Sequence, residues 1–179
     1  MTLTKKIVVF GSDNSGKTTA IANISKHLEG LGIKHEVIKS LGPKPDAKEM
    51  ATFMLKHLAK NQAVVFDRFP VIEEATCGKV LRGVNKFQGY PDNVIASEIL
   101  CSVDLFIYCR PGIHTILNWG TREQMDGIKD NIYDLVAAYD KLPGDLFDLF
   151  NVDITNRLCY YDWQKDKVEK LYKALDGKL

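Results

Sequence analysis

Apolar residues follow two patterns along the chain. Short continuous runs rich in valine, isoleucine, phenylalanine and tyrosine are bounded by turn or polar residues, which predicts β-strands. These runs are 6–10, 35–39, 63–67, 104–109 and 157–161. Between them, apolar residues recur every three or four positions, which predicts helices. The predicted helices cover about 16–31, 46–60, 71–82, 92–102, a segment from Ile128 through Tyr139, and 163–175.

Strand and helix signals alternate along the chain, and no repeat, low-complexity run or linker interrupts them. Because strands joined through helices pair in parallel, this order predicts an α/β fold whose sheet carries helices on both faces. A length of 179 residues fits one domain with a full core. We therefore expect a single domain over 1–179.

The charge of the chain is nearly balanced, with 24 basic and 23 acidic residues and a net charge of +1. This balance gives no reason to expect a broad basic face for nucleic acid, although it leaves room for a small basic pocket. The first apolar run is too short for a signal peptide or a membrane span, so we expect a cytoplasmic protein. The cysteines lack close paired spacing, which favours buried free thiols over disulfides or a zinc site.

The clearest chemical signal is GSDNSGKT at 11–18, which matches G-x-x-x-x-G-K-[ST] between a strand and a helix. In such a loop, glycines let backbone N–H groups point at phosphate oxygens, and the following helix adds its positive N-terminal end. Lys17 then reaches the β- and γ-phosphates, and Thr18 offers its hydroxyl to Mg²⁺. The alternative is a glycine-rich turn with a chance lysine. The residues expected to hold a nucleoside triphosphate are Gly11, Ser12, Asn14, Ser15, Gly16, Lys17, Thr18 and Thr19.

The stretch VVFDRFP at 64–70 ends a predicted strand on Asp67 and Arg68, and strand ends are common places for active sites in α/β proteins. A switch GTPase would carry an NKxD motif that reads the base, and the sequence has none. A motor or remodelling ATPase usually ends this strand in Asp-Glu, whose glutamate polarises water. An arginine beside the aspartate suits a second anion near the nucleotide. The pair therefore favours a kinase with a phosphorylated acceptor.

These motifs resemble the thymidylate kinases and related deoxynucleotide and deoxynucleoside kinases. The family's phosphate loop commonly reads G-x-D-G-x-G-K-[ST], and Asp13 matches its acidic position. Its third strand ends in Asp-Arg-aromatic, as DRF does at 67–69, and the next helix carries a small-residue pattern ending in glycine, like EEATCG at 73–78. The residues GKVLRG at 78–83 are similar to the small kinases of bacteriophages. The resemblance covers most of the chain in element order, and short motifs carry it.

The resemblance implies a three-layer α/β/α P-loop kinase fold with a five-stranded parallel sheet in the order 2-3-1-4-5. It implies that Asp67 orients Mg²⁺ or its water shell, that Arg68 grips the acceptor phosphate, and that Asp13 binds a sugar hydroxyl. Nucleoside kinases of the group more often place Glu-Arg at the third strand, so Asp67 favours a monophosphate acceptor. The plainer alternatives are that Asp67 caps a turn, that Arg68 pairs with Asp67, and that Asp13 is a turn residue.

Further candidates for acceptor binding lie after this strand. Glu74, Gly78 and Arg82 fall at i, i+4 and i+8, so they share one helical stripe that an acceptor base or sugar could approach closely at the glycine. The alternative is ordinary surface charge facing water. Phe69 is a candidate stacking surface, although plain packing explains it as well. The family's tyrosine near this glycine is missing, which leaves the base and sugar preference open.

Phosphoryl transfer usually needs a cation over the transferring group, and residues 12–15 of the phosphate loop contain no arginine. Related kinases then supply one from a lid after the fourth strand. We expect a short lid at about 112–127, where Arg122 is the catalytic cation, with Arg110 at the end of the fourth strand as the fallback. The alternative is that Arg122 pairs with a neighbouring acid on a surface helix. Trp163 follows the fifth strand, where related kinases pass a loop over the adenine, and we expect it to pack in the core.

The sequence thus predicts a kinase whose catalytic residues are Lys17, Asp67 and Arg122, with Mg²⁺ held at Thr18 and Asp67. ATP is the expected donor, and a deoxynucleoside monophosphate is the expected acceptor, which becomes the diphosphate. Two alternatives stay open: an acceptor that is a nucleoside, a modified base within DNA or a DNA 5′-end, and a nucleotide-binding ATPase or regulator without an acceptor. The balanced charge disfavours a nucleic-acid partner. We expect no membrane partner, a cytoplasmic location (the host cytoplasm for a phage protein), and an open oligomeric state with a homodimer as one candidate.

Overall fold

A computed structural model of the chain describes residues 5–39, 46–118 and 127–177. Its strands are β1 Lys6–Phe10, β2 His35–Lys39, β3 Ala63–Asp67, β4 Leu105–Cys109 and β5 Leu158–Tyr161. Its helices are α1 Lys17–Gly30, α2 Ala47–Leu58, α3 Pro70–Glu73, α4 Lys79–Arg82, α5 Asp92–Cys101, α6 Ile113–Leu117, α7 Ile132–Phe150 and α8 Glu169–Leu175. A π-helical turn, Glu74–Gly78, joins α3 to α4, and a 3₁₀ turn, Thr155–Arg157, precedes β5.

The strands form one parallel sheet in the order β2-β3-β1-β4-β5, which confirms the predicted topology. β1 lies at its centre, where Val8 is in register with Phe66 of β3 and with Phe106 of β4. Both faces of the sheet are covered, so alternate residues of each central strand enter different cores and the strand is apolar throughout. Val8 packs in the larger core, and Val9 packs in the smaller one.

The two cores divide the helices between the faces of the sheet. The smaller core contains the apolar sides of α1 and α8, and the larger core contains those of α2, α5 and α7. Burial of these apolar stripes supplies most of the stability of such helices, since their intrinsic propensities are weak. No helix in the described ranges is long and apolar enough to cross a lipid bilayer. The crossovers bring the carboxyl ends of all the strands to one edge of the sheet.

The boundaries of three predicted helices differ from the structure. The stretch predicted as one helix over 71–82 is helical over 70–82, but its middle is the π-helical turn. The helix predicted from Ile128 begins at Ile132, after a turn. The closing helix begins at Glu169, because Asp162 forms a local turn in which its side chain accepts a hydrogen bond from Gln164 N at 3.0 Å.

The cysteines divide into buried and exposed thiols. Cys77, Cys109 and Cys159 are buried, whereas Cys101 is exposed at the end of α5, and all four are free. The prediction of buried thiols therefore fails for Cys101. Burial raises the pKa of Cys77 and of Cys109 to about 12, which leaves little reactive thiolate at neutral pH.

We predict that an aromatic disulfide reagent modifies Cys101 of the native protein first. The buried thiols should react at least about tenfold more slowly, because they expose little surface and ionise poorly. The measurement is the time course of thiolate release from the native protein. Cys101→Ser should remove the fast phase, and Cys159→Ser should keep it. A fast phase that survives Cys101→Ser would contradict this burial pattern.

Candidate active site

A cavity of about 690 Å³ opens at the carboxyl ends of β1 and β3. It is lined by Asp13, Asn14, Ser15, Gly16, Lys17, Thr18, Thr19, Asp67, Arg68 and Trp163. The structure therefore brings the predicted phosphate loop and the predicted Asp-Arg strand end to one cavity. Gly11 and Ser12 are buried at the start of the loop.

The loop between β1 and α1 follows a path that only glycine allows at two positions. Gly11 has φ +139°, and a Cβ there would lie 2.5 Å from the carbonyl oxygen of Cys109 on β4. Gly16 has φ +90°, and a Cβ there would lie 2.4 Å from Cδ1 of Trp163. Backbone strain and a steric clash thus act together at both positions. The loop therefore packs closely against Cys109 and Trp163.

Lys17 is held inside the loop that precedes it. Its side chain is 7% exposed, and its Nζ donates hydrogen bonds to the carbonyl oxygens of Gly11 at 2.9 Å and Ser12 at 2.6 Å. Burial, with Arg68 as the next contribution, lowers the pKa of Lys17 from its usual value. The hydroxyl of Ser15 is buried without a hydrogen-bond partner among the described residues. Thr18 and Thr19 present exposed hydroxyl groups at the cavity.

Arg68 lies between two carboxylates from different parts of the chain. Its Nη2 pairs with Oδ1 of Asp13 in the phosphate loop, and its Nη1 lies 3.3 Å from Oε2 of Glu73 in α3. The backbone of Arg68 is left-handed, with φ +70°, which is unusual for a residue other than glycine and common at functional sites. Burial alone would lower the pKa of Arg68, but Glu73 and Asp13 outweigh it and raise the pKa above its usual value. The expected alternative, a pair between Arg68 and Asp67, gives way to these two partners.

Glu73 was not among the predicted site residues. Its Oε1 accepts a hydrogen bond at 3.0 Å from the hydroxyl of Tyr139 on α7, while its Oε2 faces Arg68. The sequence signal was the acidic pair at 73–74, directly after the strand end, but helical spacing pointed to Glu74 instead. A π-helical turn begins at Glu74, directly after Glu73.

Glu74, Gly78 and Arg82 are brought together as their spacing predicted, but they contact each other. Nη2 of Arg82 donates to Oε1 of Glu74 at 2.5 Å, and Lys86 N donates to Oε2 at 3.2 Å. A Cβ on Gly78 would lie 2.8 Å from Nη2 of Arg82 and 2.9 Å from Oε2 of Glu74. The glycine thus leaves space for this ion pair, and none of the three residues lines the cavity.

Two aromatic residues occupy places that differ from their expected ones. Phe69 is fully buried and packs on Phe66 with ring centroids 5.0 Å apart, so it presents no surface to an acceptor in this structure. Trp163, expected in the core, is 43% exposed and lines the cavity instead. The indole lies against Gly16, directly after Asp162, whose side chain accepts a hydrogen bond from Gln164 N. Periodicity carries no signal for such a turn.

Hydrogen bonds join the phosphate loop to α6. The side chain of Asn14 donates to the carbonyl oxygens of Thr115 at 2.7 Å and Asn118 at 2.9 Å. The hydroxyl of Thr115 donates to Oε1 of Gln164, next to Trp163, at 2.5 Å. A second cleft of about 450 Å³ lies between these segments. Its lining residues are Asn14, His114, Thr115, Asn118, Trp163 and Gln164.

Arg110, the fallback for the catalytic cation, is held away from the cavity lining. Its Nε and Nη2 donate to the two carboxylate oxygens of Asp140 at 2.8 and 3.0 Å. The hydroxyl of Tyr108 also donates to Asp140, at 2.7 Å. Such a bidentate pair fixes the guanidinium in place. Arg122, the first choice for this cation, lies outside the described residues.

No protein-family model matches this sequence, and no curated protein matches it. Among solved structures, the chain resembles the YorR protein of Bacillus subtilis, crystallised in complex with phosphorylated GDP. The TM-score is 0.67 at 15% identity, and the match covers 96% of this chain and 94% of that one. The chain also resembles APE1195, with a TM-score of 0.51 at 15% identity over 98% of this chain and 95% of that one.

These likenesses concern the fold. Together with the strand order 2-3-1-4-5 and the phosphate loop after the central strand, they agree on one architecture. The chain has a P-loop kinase fold. The site described above is therefore placed where this fold carries its nucleotide, at the carboxyl edge of the sheet.

We predict that Trp163 reports nucleotide binding in the loop. Because its indole contacts Gly16, a triphosphate in the loop changes its surroundings, and its fluorescence should change saturably with ATP concentration. The chain has two tryptophans, so the titration uses a Trp119→Phe background. Calorimetry on the same sample gives the ATP affinity independently.

The control variant is Gly16→Ala, whose methyl group collides with the indole and strains the loop. It should weaken ATP binding by about tenfold or more. Calorimetric ATP binding with no change in Trp163 emission would contradict the contact between the indole and the loop.

Proposed function

We propose that this protein catalyses ATP- and Mg²⁺-dependent phosphoryl transfer to a deoxynucleoside monophosphate, as a thymidylate kinase-like enzyme of the small bacteriophage type, giving the diphosphate. One observation carries the proposal: Arg68 lines the same cavity as Lys17 and Thr18 of the phosphate loop. A guanidinium matches two phosphate oxygens, so Arg68 suits the phosphate of a second molecule bound beside ATP. The cavity therefore suits two phosphorylated molecules better than a simple ATPase site.

The phosphate loop supplies the donor side. Its N–H groups, the hydroxyl of Ser15 and the Nζ of Lys17 are donors for the β- and γ-phosphate oxygens. The nucleotide in the YorR complex supports a nucleotide ligand for this fold. Gly11, Ser12, Asn14 and Thr19 complete the proposed donor site through the loop and the first turn of α1.

The residues at the cavity suit Mg²⁺. Thr18 offers a hydroxyl and Asp67 a carboxylate at the same cavity, and oxygen ligands of these kinds are the ones Mg²⁺ prefers. When bound, the ion would neutralise charge on the β- and γ-phosphates. Lys17 adds a point charge on the transferring group, and Asp67 holds the ion or its water shell beside the acceptor. Catalysis is then mostly positioning and charge neutralisation.

Asp13 and Arg68 supply the acceptor side. Asp13 faces Arg68, which agrees with its proposed role toward a sugar hydroxyl of the acceptor. The segment that follows carries the other proposed acceptor residues, Phe69, Glu74, Gly78 and Arg82. In this structure they contact other protein groups and do not line the cavity. A role for them in acceptor binding requires that those contacts change.

A second candidate is a kinase whose acceptor carries no phosphate at this point, such as a nucleoside, a modified base within DNA or a DNA 5′-end. The pairing of Arg68 with both Asp13 and Glu73 favours it. Two carboxylates already balance the guanidinium, so an acceptor phosphate would have to displace or share them. A neutral hydroxyl acceptor meets no such competition.

The first prediction here tests coupling between ATP turnover and an acceptor. Lys17→Ala should lower the transfer rate by on the order of a thousandfold and weaken ATP binding, because the lysine charge sits on the transferring phosphates. The measurement is ADP release with a panel of nucleosides, their monophosphates and short DNA strands. Lys26→Ala, on the exposed side of α1, is the matched control and should stay active. Fast ADP release that is indifferent to every acceptor would support an ATPase instead.

The second prediction separates the two kinds of acceptor. Arg68→Ala should raise the KM for a monophosphate by about ten- to a hundredfold, because a charged hydrogen bond contributes roughly 1.5–3 kcal/mol. ATP affinity should stay within about twofold. Lys79→Ala, an exposed lysine on α4, serves as the charge-matched control. If Arg68→Ala loses thermal stability but keeps the KM of every acceptor, the unphosphorylated acceptor is the better reading.

The third prediction concerns the catalytic cation, which we place at Arg122 from the sequence alone. Arg122→Ala should lower kcat by on the order of a thousandfold while KM values change little. Arg110→Ala is the comparison, because the bidentate pair with Asp140 assigns Arg110 a structural role. A normal kcat in Arg122→Ala, with a collapse in Arg110→Ala, would move the catalytic role to Arg110.

A further inference from the structure

A chain of side-chain contacts runs from helix α7 to the phosphate loop. Tyr139 donates to Glu73, Glu73 faces Arg68, and Arg68 pairs with Asp13. Its members come from four separate parts of the sequence: α7, α3, the end of β3 and the loop after β1. The sequence motifs account for Asp13 and Arg68 only.

The Tyr139 end of this chain is fixed by packing. The residue is 1% exposed, and its ring packs against those of Phe10 and Tyr108, with centroids 6.2 and 6.1 Å away. Burial, with the Glu73 carboxylate as the next cause, raises the pKa of Tyr139, so the phenol keeps its proton and donates a hydrogen bond to Glu73. Cys77 Sγ also lies 3.4 Å from the phenol oxygen. Packing and these two polar contacts therefore hold the Tyr139 side chain in place.

Glu73 connects Tyr139 to Arg68. One of its carboxylate oxygens accepts from Tyr139 and the other faces Nη1 of Arg68 at 3.3 Å, so the two contacts restrict rotation of the carboxylate. Arg68 has a left-handed backbone and a side chain that is 21% exposed, and its guanidinium pairs with Asp13 and Glu73. A long arginine side chain loses rotamer entropy when it is held in one place. If partners in the free protein already hold it, less entropy is lost when a ligand binds.

We propose that Glu73 and Tyr139 are positioning residues that hold the guanidinium of Arg68 at the cavity. The role in acceptor binding rests on the proposed function, whereas the positioning itself does not. Neither residue lines the cavity, so neither is a catalytic residue. Tyr139 acts only through Glu73 and Arg68.

The test uses Tyr139→Phe, which removes the hydroxyl and keeps the ring that packs in the core. The direct readout is solvent exchange of the Arg68 guanidinium protons in ¹⁵N-edited NMR of the free protein, assigned by their loss in Arg68→Lys. Removal of a buried hydrogen bond should speed this exchange by about fivefold or more. Glu73→Gln, which keeps the shape of the side chain, should have a comparable effect and replaces Tyr139→Phe if that variant does not fold.

The kinetic readout is the KM for the acceptor that the panel identifies. Tyr139→Phe should raise it by about three- to tenfold, with the KM for ATP and kcat changed less than twofold. In an Arg68→Ala background, Tyr139→Phe should change neither KM further, because the residue through which it acts is gone. Tyr133→Phe, an exposed tyrosine on the same helix, is the control and should leave exchange and KM unchanged.

The outcomes separate the two proposals. Unchanged exchange of the Arg68 protons in both Tyr139→Phe and Glu73→Gln overturns the positioning role, whatever the enzyme acts on. Faster exchange with an unchanged acceptor KM upholds the positioning role and instead removes Arg68 from acceptor binding. An acceptor KM that rises equally with and without Arg68 overturns the claim that Tyr139 acts through it.

Discussion

The ion pairs of Arg68 hold the two halves of the candidate site together. One half is the loop after β1 and the other is the segment after β3, and these strands are neighbours in the sheet. Because parallel strands end at one edge, the two segments lie side by side with no backbone hydrogen bonds required between them. Asp13 reaches Arg68 from the loop after β1, and Glu73 reaches it from the same segment as Arg68 itself. The guanidinium therefore links the phosphate loop to the segment after β3.

The same pairing bears on the kind of acceptor that we propose for the site. The carboxylates of Asp13 and Glu73 pair with Arg68, while Asp67 and Lys17 line the same cavity. An acceptor phosphate adds negative charge to that group, and it gains most if it takes over hydrogen bonds of Arg68 that a carboxylate now accepts. An uncharged acceptor would leave the ion pairs of Arg68 intact and would bind beside them. Whether the acceptor carries a phosphate thus depends on how easily Arg68 exchanges its partners.

Much of the fold was predictable because the central strands are buried on both faces and read as unbroken apolar runs. The phosphate loop was predictable because its glycines are required by geometry, as Gly11 illustrates against Cys109 of β4. Glu73 was not, because its partner Tyr139 lies far away in the sequence, on α7. Trp163 was not, because it lies in a turn after Asp162, outside any strand or helix. Contacts between distant segments, such as the one from Tyr139 to Glu73, leave no periodic signal.

Helix α7 links these separate contacts through two neighbouring residues. Tyr139 hydrogen-bonds to Glu73, the partner of Arg68. The next residue, Asp140, accepts hydrogen bonds from Arg110 and Tyr108. One turn of the helix therefore contacts the surroundings of two arginines at the edge of the sheet. Pro143 follows four residues after Tyr139 and has no N–H to donate to its carbonyl group. A turn that lacks a backbone hydrogen bond bends more easily than the rest of a helix. The side-chain bonds of Tyr139 and Asp140 therefore stabilise the part of α7 that most needs support, and the position of the site arginine depends on that turn.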